Sequence, residues 1–288
     1  MKYNELQKYF RENLGWGVDG SANTVFEFLL NVRSKARGGV LLDAGAGFQR
    51  YKPFFEDSLY LAQEHPIAGG LNKHITNYDI LCDVKLIPLK DNSVDCVLST
   101  SALEHYEYPE EFFMEAFRVL KPGGILFISV PFTYPEHEVP YDFQRPTRYG
   151  LKRWYSVAGF VNVDVKPTSS SIHASTVFIK DAALVEGAVG IKKALKNAPL
   201  TIIRILPRYI VYYLLVKPSI WLLKKTVINI PNENTLFPTG WVSEGAKPFM
   251  DSADEFEFKS KEDFLQKRML GEVGFEIKDG VIVAAEKL

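Results

Sequence analysis

Between residues 38 and 131 the chain alternates short β-rich apolar runs with turn and helix signals, and this pattern constrains its fold more than any other feature. "GGVLLDAGAG" (38–47), "SLYLAQE" (58–64), "YDILCDV" (78–84), "SVDCVLST" (93–100) and "GGILFISVP" (123–131) are five such runs. Strand signals interleaved with helical ones imply a mostly parallel sheet covered by helices on both faces. "PEEFFMEAFRVLKPGG" (109–124) supplies one helix: Pro109 suits the first turn, Glu110 and Glu111 favour the positive helix end, and Lys-Pro-Gly-Gly stops it. Thr147 is the expected N-cap of "RYGLKRWYSVAG", Gly159 its terminator, and "FVNVDVKP" (160–167) a sixth strand. With 288 residues, 47% of them hydrophobic, the chain can bury the core such a domain needs.

A formal net charge of -1 gives no field that would gather nucleic acid, so none is expected as a partner. Cys82 and Cys96 are too few for a disulfide framework and too widely spaced for a metal-binding pair; they read as reduced core residues of a cytoplasmic protein, and no metal is expected. The N-terminal "MKYNELQKYFRENLG" is amphipathic and lacks the apolar segment of a secretory signal, so no export is expected.

Residues 187–232 differ in character. They hold eight basic residues (Lys192, Lys193, Lys196, Arg204, Arg208, Lys217, Lys224 and Lys225) and no acid, interleaved with apolar runs. Arg208, Lys217 and two prolines interrupt any stretch long enough to span a bilayer. Two readings stand: amphipathic helices packed over the sheet domain, or a peripheral surface drawn to anionic lipid at the inner face of a membrane. The expected organisation is an N-terminal helical segment (1–37), a core (38–167), a basic, apolar helical insertion (168–235), the last strand of the core (236–248) and a C-terminal extension (249–288). The extension reads as a helix and then two strands joined at Lys278-Asp279-Gly280.

"LLDAGAGFQ" places Asp43 at the end of a buried strand, followed at once by Gly45 and Gly47. By itself this is either a tight strand-to-helix turn or a loop whose backbone N–H groups approach a ligand. Glu64 and Asp83 then end the second and third runs. The first carboxylate could accept from a ribose diol and the second from an exocyclic amine. Three acids at three successive strand ends favour the ligand reading.

These residues, with "CDVKLIPLKDNSVDCVLSTSALEHYEYPEEFFMEAFRVLKPGGILFISVP", resemble the class I S-adenosylmethionine-dependent methyltransferases of the type 11-like subgroup, over roughly residues 38–166. The resemblance implies an α/β, Rossmann-like seven-stranded mixed sheet of order 3-2-1-4-5-7-6, with helices on both faces and a helical insertion near the C-terminus. It implies that Asp43, Ala44, Gly45 and Gly47 surround the methionine part of S-adenosylmethionine and that Glu64 holds the ribose hydroxyls. Asp83 and the Val84 N–H would hold the adenine, while Ser99, Thr100 and Ser101 would line the methyl-donor end. His105, in the "LEH" segment, would support the pocket. Two departures are Phe48, bulkier than the residue usual after the second glycine, and "AQEH" at the end of the second strand.

The stretch "PFTYPEHEVPYDFQRPT" (131–147) follows the fifth strand, where this architecture sets the acceptor beside the methyl group. It resembles an "H-x-x-P-x-D-F-x-R-x-T" signature of a subset associated with surface-glycan biosynthesis, carried here by His137, Pro140, Asp142, Phe143, Arg145 and Thr147. His137 is the candidate base and Asp142 a second catalytic candidate, with Glu136 and Glu138 beside them; Asp142 and Arg145 may equally pair to hold the loop. The expected function is methyl transfer to a small-molecule, sugar or lipid-linked acceptor at oxygen. The alternatives are a cofactor-binding protein of this fold without catalysis and a membrane-peripheral scaffold that uses residues 187–232.

Overall fold

A computed structural model describes residues 1–13, 20–66, 77–181, 210, 212–226, 235–249, 274–278 and 281–285. Its strands are β1 (Val40–Ala44), β2 (Leu59–Glu64), β3 (Ile80–Leu81), β4 (Val94–Thr100), β5 (Leu120–Pro131), β6 (Val161–Pro167) and β7 (Gly240–Ala246). They form one seven-stranded sheet of order β3-β2-β1-β4-β5-β7-β6. β7 runs antiparallel to both of its neighbours, β5 and β6, whereas the pairings among β1 to β5 are parallel. The expected strand order and mixed character are thus present. A separate hairpin joins β8 (Gly274–Lys278) to β9 (Val281–Ala285), on either side of the expected turn.

The helices are α1 (Tyr3–Asn13), α2 (Gly20–Ala36), α3 (Pro109–Val119), α4 (Arg148–Ala158), α5 (Ser171–Asp181) and α6 (Lys217–Thr226). Alternation along the central strands divides the core between two faces. On one, Val97, Leu126 and Ile128 pack with Phe112 and Phe113 of α3, Leu151 and Tyr155 of α4, and Trp241. On the other, Cys96, Leu98 and Phe127 pack with Leu6 and Phe10 of α1, Phe26 and Leu29 of α2, and Phe54. The N-terminal helical segment therefore covers one face of the core sheet. Cys96 and Cys82 are free thiols, and burial pushes the Cys96 thiol up to about 12.

Local signals place most boundaries. Thr147 Oγ1 accepts from the Gly150 N–H at 3.1 Å and caps α4, and Gly159, at φ 99°, ends it. β5 begins earlier than its apolar run, because Leu120 already pairs with Val94 before a register shift that lets the Pro122–Gly124 turn bulge out. β3 is shorter than "YDILCDV". Asp79 Oδ2 accepts the Ala62 N–H at 2.8 Å, and Asp83 closes a turn by accepting from Lys85 N and Leu86 N, so only Ile80 and Leu81 remain in the ladder. Asp83 consequently lies in a turn two residues past β3, not at its end.

In the basic segment, Lys217 belongs to α6, whereas Lys192, Lys193, Lys196, Arg204 and Arg208 lie outside the described residues. The helix expected after residue 260 also lies outside them. No helix among the described residues is long and apolar enough to cross a membrane.

Candidate active site at the carboxyl edge of the sheet

The carboxyl ends of β1, β2 and β4 meet on one edge, where open α/β sheets bind ligands. Asp43 is fully buried at the end of β1. One carboxylate oxygen, Oδ2, accepts from the Tyr60 hydroxyl, and Oδ1 has no hydrogen-bond partner among the described residues. Burial raises its pKa to about 7; the Tyr60 hydrogen bond opposes the rise and the nearby Glu64 charge adds to it.

The chain then turns through Gly45 (φ 73°) and Gly47 (φ 50°), a backbone region that suits glycine. A Cβ on Gly45 would lie 2.5 Å from Ala102 Cβ and 2.9 Å from the Tyr106 hydroxyl, so the turn is closely packed on that side. A Cβ on Gly47 would meet nothing within 4 Å. The two glycines thus divide the work, one packed against the fold and the other facing open space.

Glu64, at the end of β2, accepts from the Gly47 N–H at 2.7 Å and from the His65 N–H at 2.9 Å. A carboxylate has about four lone-pair sites, so two remain for a diol. Asp83 is half-exposed and pairs with Lys85 Nζ at 3.4 Å; Val84 beside it is buried. Ser99 and Thr100 are buried at the end of β4, and Ser101 follows in the left-handed region at φ 48°, fixed by its N–H to Ser129 O at 2.8 Å. Non-glycine residues held in that region cost on the order of 1–3 kcal/mol and concentrate at functional sites.

Two residues that the sequence analysis passed over lock this edge. Gln63 accepts from the Gly45 N–H at 3.1 Å and donates to Cys82 O at 2.6 Å, joining the glycine turn to the segment that carries Asp83. The buried Tyr106 hydroxyl donates to Ala44 O at 3.0 Å and lies 3.1 Å from Ser99 Oγ, joining the ends of β1 and β4. Gln63 stands beside Glu64 in the unusual "AQEH", which was the available signal; Tyr106 left none.

The loop from Phe132 to Pro146 returns over the short 3-10 helix Leu103–His105 that follows β4. Phe143 N and Gln144 N both donate to Glu104 O, at 2.8 and 3.1 Å. Arg145 grips Asp142 with two hydrogen bonds of 2.5 and 2.6 Å, which hold the Asp142 carboxyl down at about 2. Asp142 also accepts the His137 N–H at 3.0 Å. It is therefore placed to hold His137 and the loop, and its low pKa makes it a poor base. Glu136 is exposed.

His137 meets two further residues, both beyond β4. Its ring packs edge-on against that of His105, with centroids 4.9 Å apart. His137 Nε2 lies 3.8 Å from Glu104 Oε1, and His105 Nε2 lies 3.9 Å from the same oxygen. Glu104 is 1% exposed, neither of its carboxylate oxygens has a hydrogen-bond partner among the described residues, and burial lifts its pKa to about 8. The sequence analysis took "LEH" as support for the pocket and left Glu104 unassigned.

Parts of the chain are similar to known proteins. Residues 54–128 match the family described as "Methyltransferase domain". The chain is 32% identical over 85 residues to a demethylmenaquinone methyltransferase of Protochlamydia amoebophila, covering 30% of this chain and 34% of that protein. It is 31% identical over 115 residues to a malonyl-[acyl-carrier protein] O-methyltransferase of Marinomonas, covering 36% and 43%. The matches thus span less than half the length of either relative. Among solved structures, an S-adenosylmethionine-dependent methyltransferase of Thermotoga maritima, described as a possible histamine N-methyltransferase, aligns over 85% of this chain and 95% of its own at 17% identity, with a TM-score of 0.48. The matched stretch, running from the first turn after β1 into β5, is thus similar to methyltransferase domains, and the seven strands stand in the order that the resemblance implied.

Proposed function

We propose that the chain transfers a methyl group from S-adenosylmethionine to an oxygen of a small-molecule, sugar or lipid-linked acceptor held against the loop at 132–146. The residues present fit the cofactor. Asp43 offers a buried carboxylate oxygen without a hydrogen-bond partner among the described residues, Gly47 faces open space, and Glu64 keeps lone pairs for a diol. In this reading Asp43, Ala44, Gly45 and Gly47 surround the methionine part, Glu64 takes the ribose, Asp83 and the Val84 N–H take the adenine, and Ser99, Thr100 and Ser101 line the methyl-donor end. The cofactor supplies a sulfonium-activated methyl carbon, so the protein's contribution is alignment and exclusion of water.

The observation that carries the acceptor side is the setting of His137, whose Nδ1 lies 3.3 Å from both Pro135 O and Asp142 Oδ2, which only accept. In this reading Nδ1 holds the ring proton and Nε2 presents a lone pair. The Arg145 Nη2 contact with Nδ1 is longer, at 3.5 Å. A lone pair so placed can take the proton of an acceptor hydroxyl as its oxygen is methylated. His137→Ala should lower turnover by about 100-fold or more while leaving S-adenosylhomocysteine affinity near that of the parent. An unchanged rate with the true acceptor would remove His137 from the reaction.

A second observation favours a lipid-linked acceptor. Tyr213, Leu214, Leu215, Trp221 and Leu222 are all exposed around Lys217, giving a surface that is apolar and basic together. Such a surface suits peripheral contact with anionic lipid. Sedimentation with vesicles should then show binding that needs anionic lipid and falls steeply with salt; equal binding to neutral vesicles, or none, would leave a soluble acceptor.

A further inference from the structure

We infer that Glu104, His105 and His137 form a binding site for a divalent first-row transition cation, which holds the oxygens of the acceptor. The inference rests on the methyltransferase reading only for what the cation would hold. The site itself stands on three donor atoms, one from each residue, that lie within 4.8 Å of one another.

Both imidazoles are oriented as metal ligands are. His105 Nδ1 lies 2.7 Å from Tyr141 O, a carbonyl that can only accept, so its proton is on Nδ1. His137 Nδ1 faces Pro135 O and Asp142 Oδ2 at 3.3 Å, with the Arg145 guanidinium farther off at 3.5 Å. Metal-ligating histidines almost always donate their second ring N–H to a carbonyl or carboxylate, which fixes the tautomer and aims the other nitrogen. The result here is two Nε2 lone pairs turned towards one carboxylate oxygen, Glu104 Oε1, at 3.9 and 3.8 Å.

At 3.8 and 3.9 Å the three atoms stand too far apart for hydrogen bonds. Glu104 is 1% exposed, and among the described residues neither of its oxygens has a hydrogen-bond partner. A buried carboxylate left so is costly unless a cation or donor meets it. Donors bound to zinc at about 2.0–2.1 Å in a tetrahedron stand about 3.4 Å apart, so the two Glu104 edges would shorten by roughly half an ångström and the histidine–histidine edge, which lies within 4.8 Å, by up to about 1.4 Å. Glu138 Oε2, on an exposed side chain 3.7 Å from His105 Nε2, borders the open side.

Two imidazole nitrogens and one carboxylate oxygen select a borderline cation such as Zn²⁺, Co²⁺ or Fe²⁺ over Mg²⁺ or Ca²⁺, which prefer all-oxygen shells. Three protein donors leave positions for an exogenous ligand, the pattern of reactive sites and not of closed structural ones. Two neighbouring oxygens of one acceptor fit those positions, which points to a vicinal diol or an α-hydroxy acid. With the cation bound, His137 Nε2 is occupied and the cation-held hydroxyl gives its proton to water; in the metal-free chain Nε2 is open to take that proton.

The test uses the full chain stripped of metal and titrated with Co²⁺, read by its visible ligand-field absorption, and with Zn²⁺, read by competition with a chromophoric chelator. The expected result is one site per chain in which Zn²⁺ displaces Co²⁺, weakened by at least about 100-fold in Glu104→Gln and in His137→Asn and unchanged in Glu136→Gln. His137 sits on a half-exposed loop, so its variant remains informative if loss of the buried Glu104 charge alters folding. Absence of a site, or equal affinity in all three variants, overturns the proposal. S-adenosylhomocysteine titrated into the same samples separates the readings: binding of it without a Co²⁺ site overturns the cation and leaves the methyltransferase, and the reverse supports the cation while removing the methyltransferase reading.

Discussion

Asp43 illustrates how a single residue ties cofactor binding to stability. Its pKa in the folded chain, about 7, lies above the ordinary 3.8, so the folded state holds a proton that the unfolded state has released between those values. The stability linked to protonated Asp43 is complete below about pH 4, declines as pH rises and is gone above about pH 7. Asp43→Asn, which can still accept from Tyr60, should match the parent near pH 4 and exceed it at pH 8, by on the order of 2–4 kcal/mol. Urea unfolding across that range checks this, and Glu104, common to both proteins, cancels in the comparison. A difference independent of pH would mean that Asp43 is ionised throughout. Such a residue is expected at a cofactor site, where a buried carboxylate gains a partner only when the ligand arrives.

Among the elements, β1 and β4 were legible because their apolar runs end in residues with a stated job, Asp43 before the glycines and Ser99 before the turn at Ser101. The cap at Thr147 was legible for the same reason, since a threonine hydroxyl at a helix start has one use. β3 was not, because its length is set by Asp79 and Asp83 bonding to backbone, a competition that apolar patterning does not register. Nor was the contact that ties down the end of α3, although Lys-Pro-Gly-Gly marked where the helix stops. Lys247, read only as part of a final strand, is buried with its ammonium donating to Asn92 Oδ1, Phe117 O and Leu120 O at 2.7–2.8 Å, and burial draws its pKa down to about 8. It ties the end of β7 to the last carbonyls of α3, far apart in sequence. Lys247→Met should lower stability by about 1–3 kcal/mol by leaving those acceptors buried without a donor. Thermal unfolding that matches the parent would show that water reaches them.

At the scale of the whole molecule, the sheet order and the acids at its carboxyl edge were readable from ordered motifs, whereas the contacts that complete the site were not. Gln63 and Tyr106 act through groups at the ends of other strands and in the turns beyond them, and Glu104 and His105 meet His137 only because the loop after β5 folds back over the end of β4. Patterning reports which residues are buried; it does not report which polar groups meet. The catalytic proposal therefore depends on a claim about the whole edge: that Asp43, Gly47, Glu64 and Asp83, drawn from three strands and the turns that follow them, act together on one nucleoside ligand. Calorimetric titration of the full chain with S-adenosylhomocysteine tests it most directly. The account predicts one site per chain, a higher melting temperature when it is filled, and affinity at least tenfold weaker, about 1.4 kcal/mol, in both Glu64→Gln and Asp83→Asn. No binding heat and no change in melting temperature at millimolar ligand would contradict it.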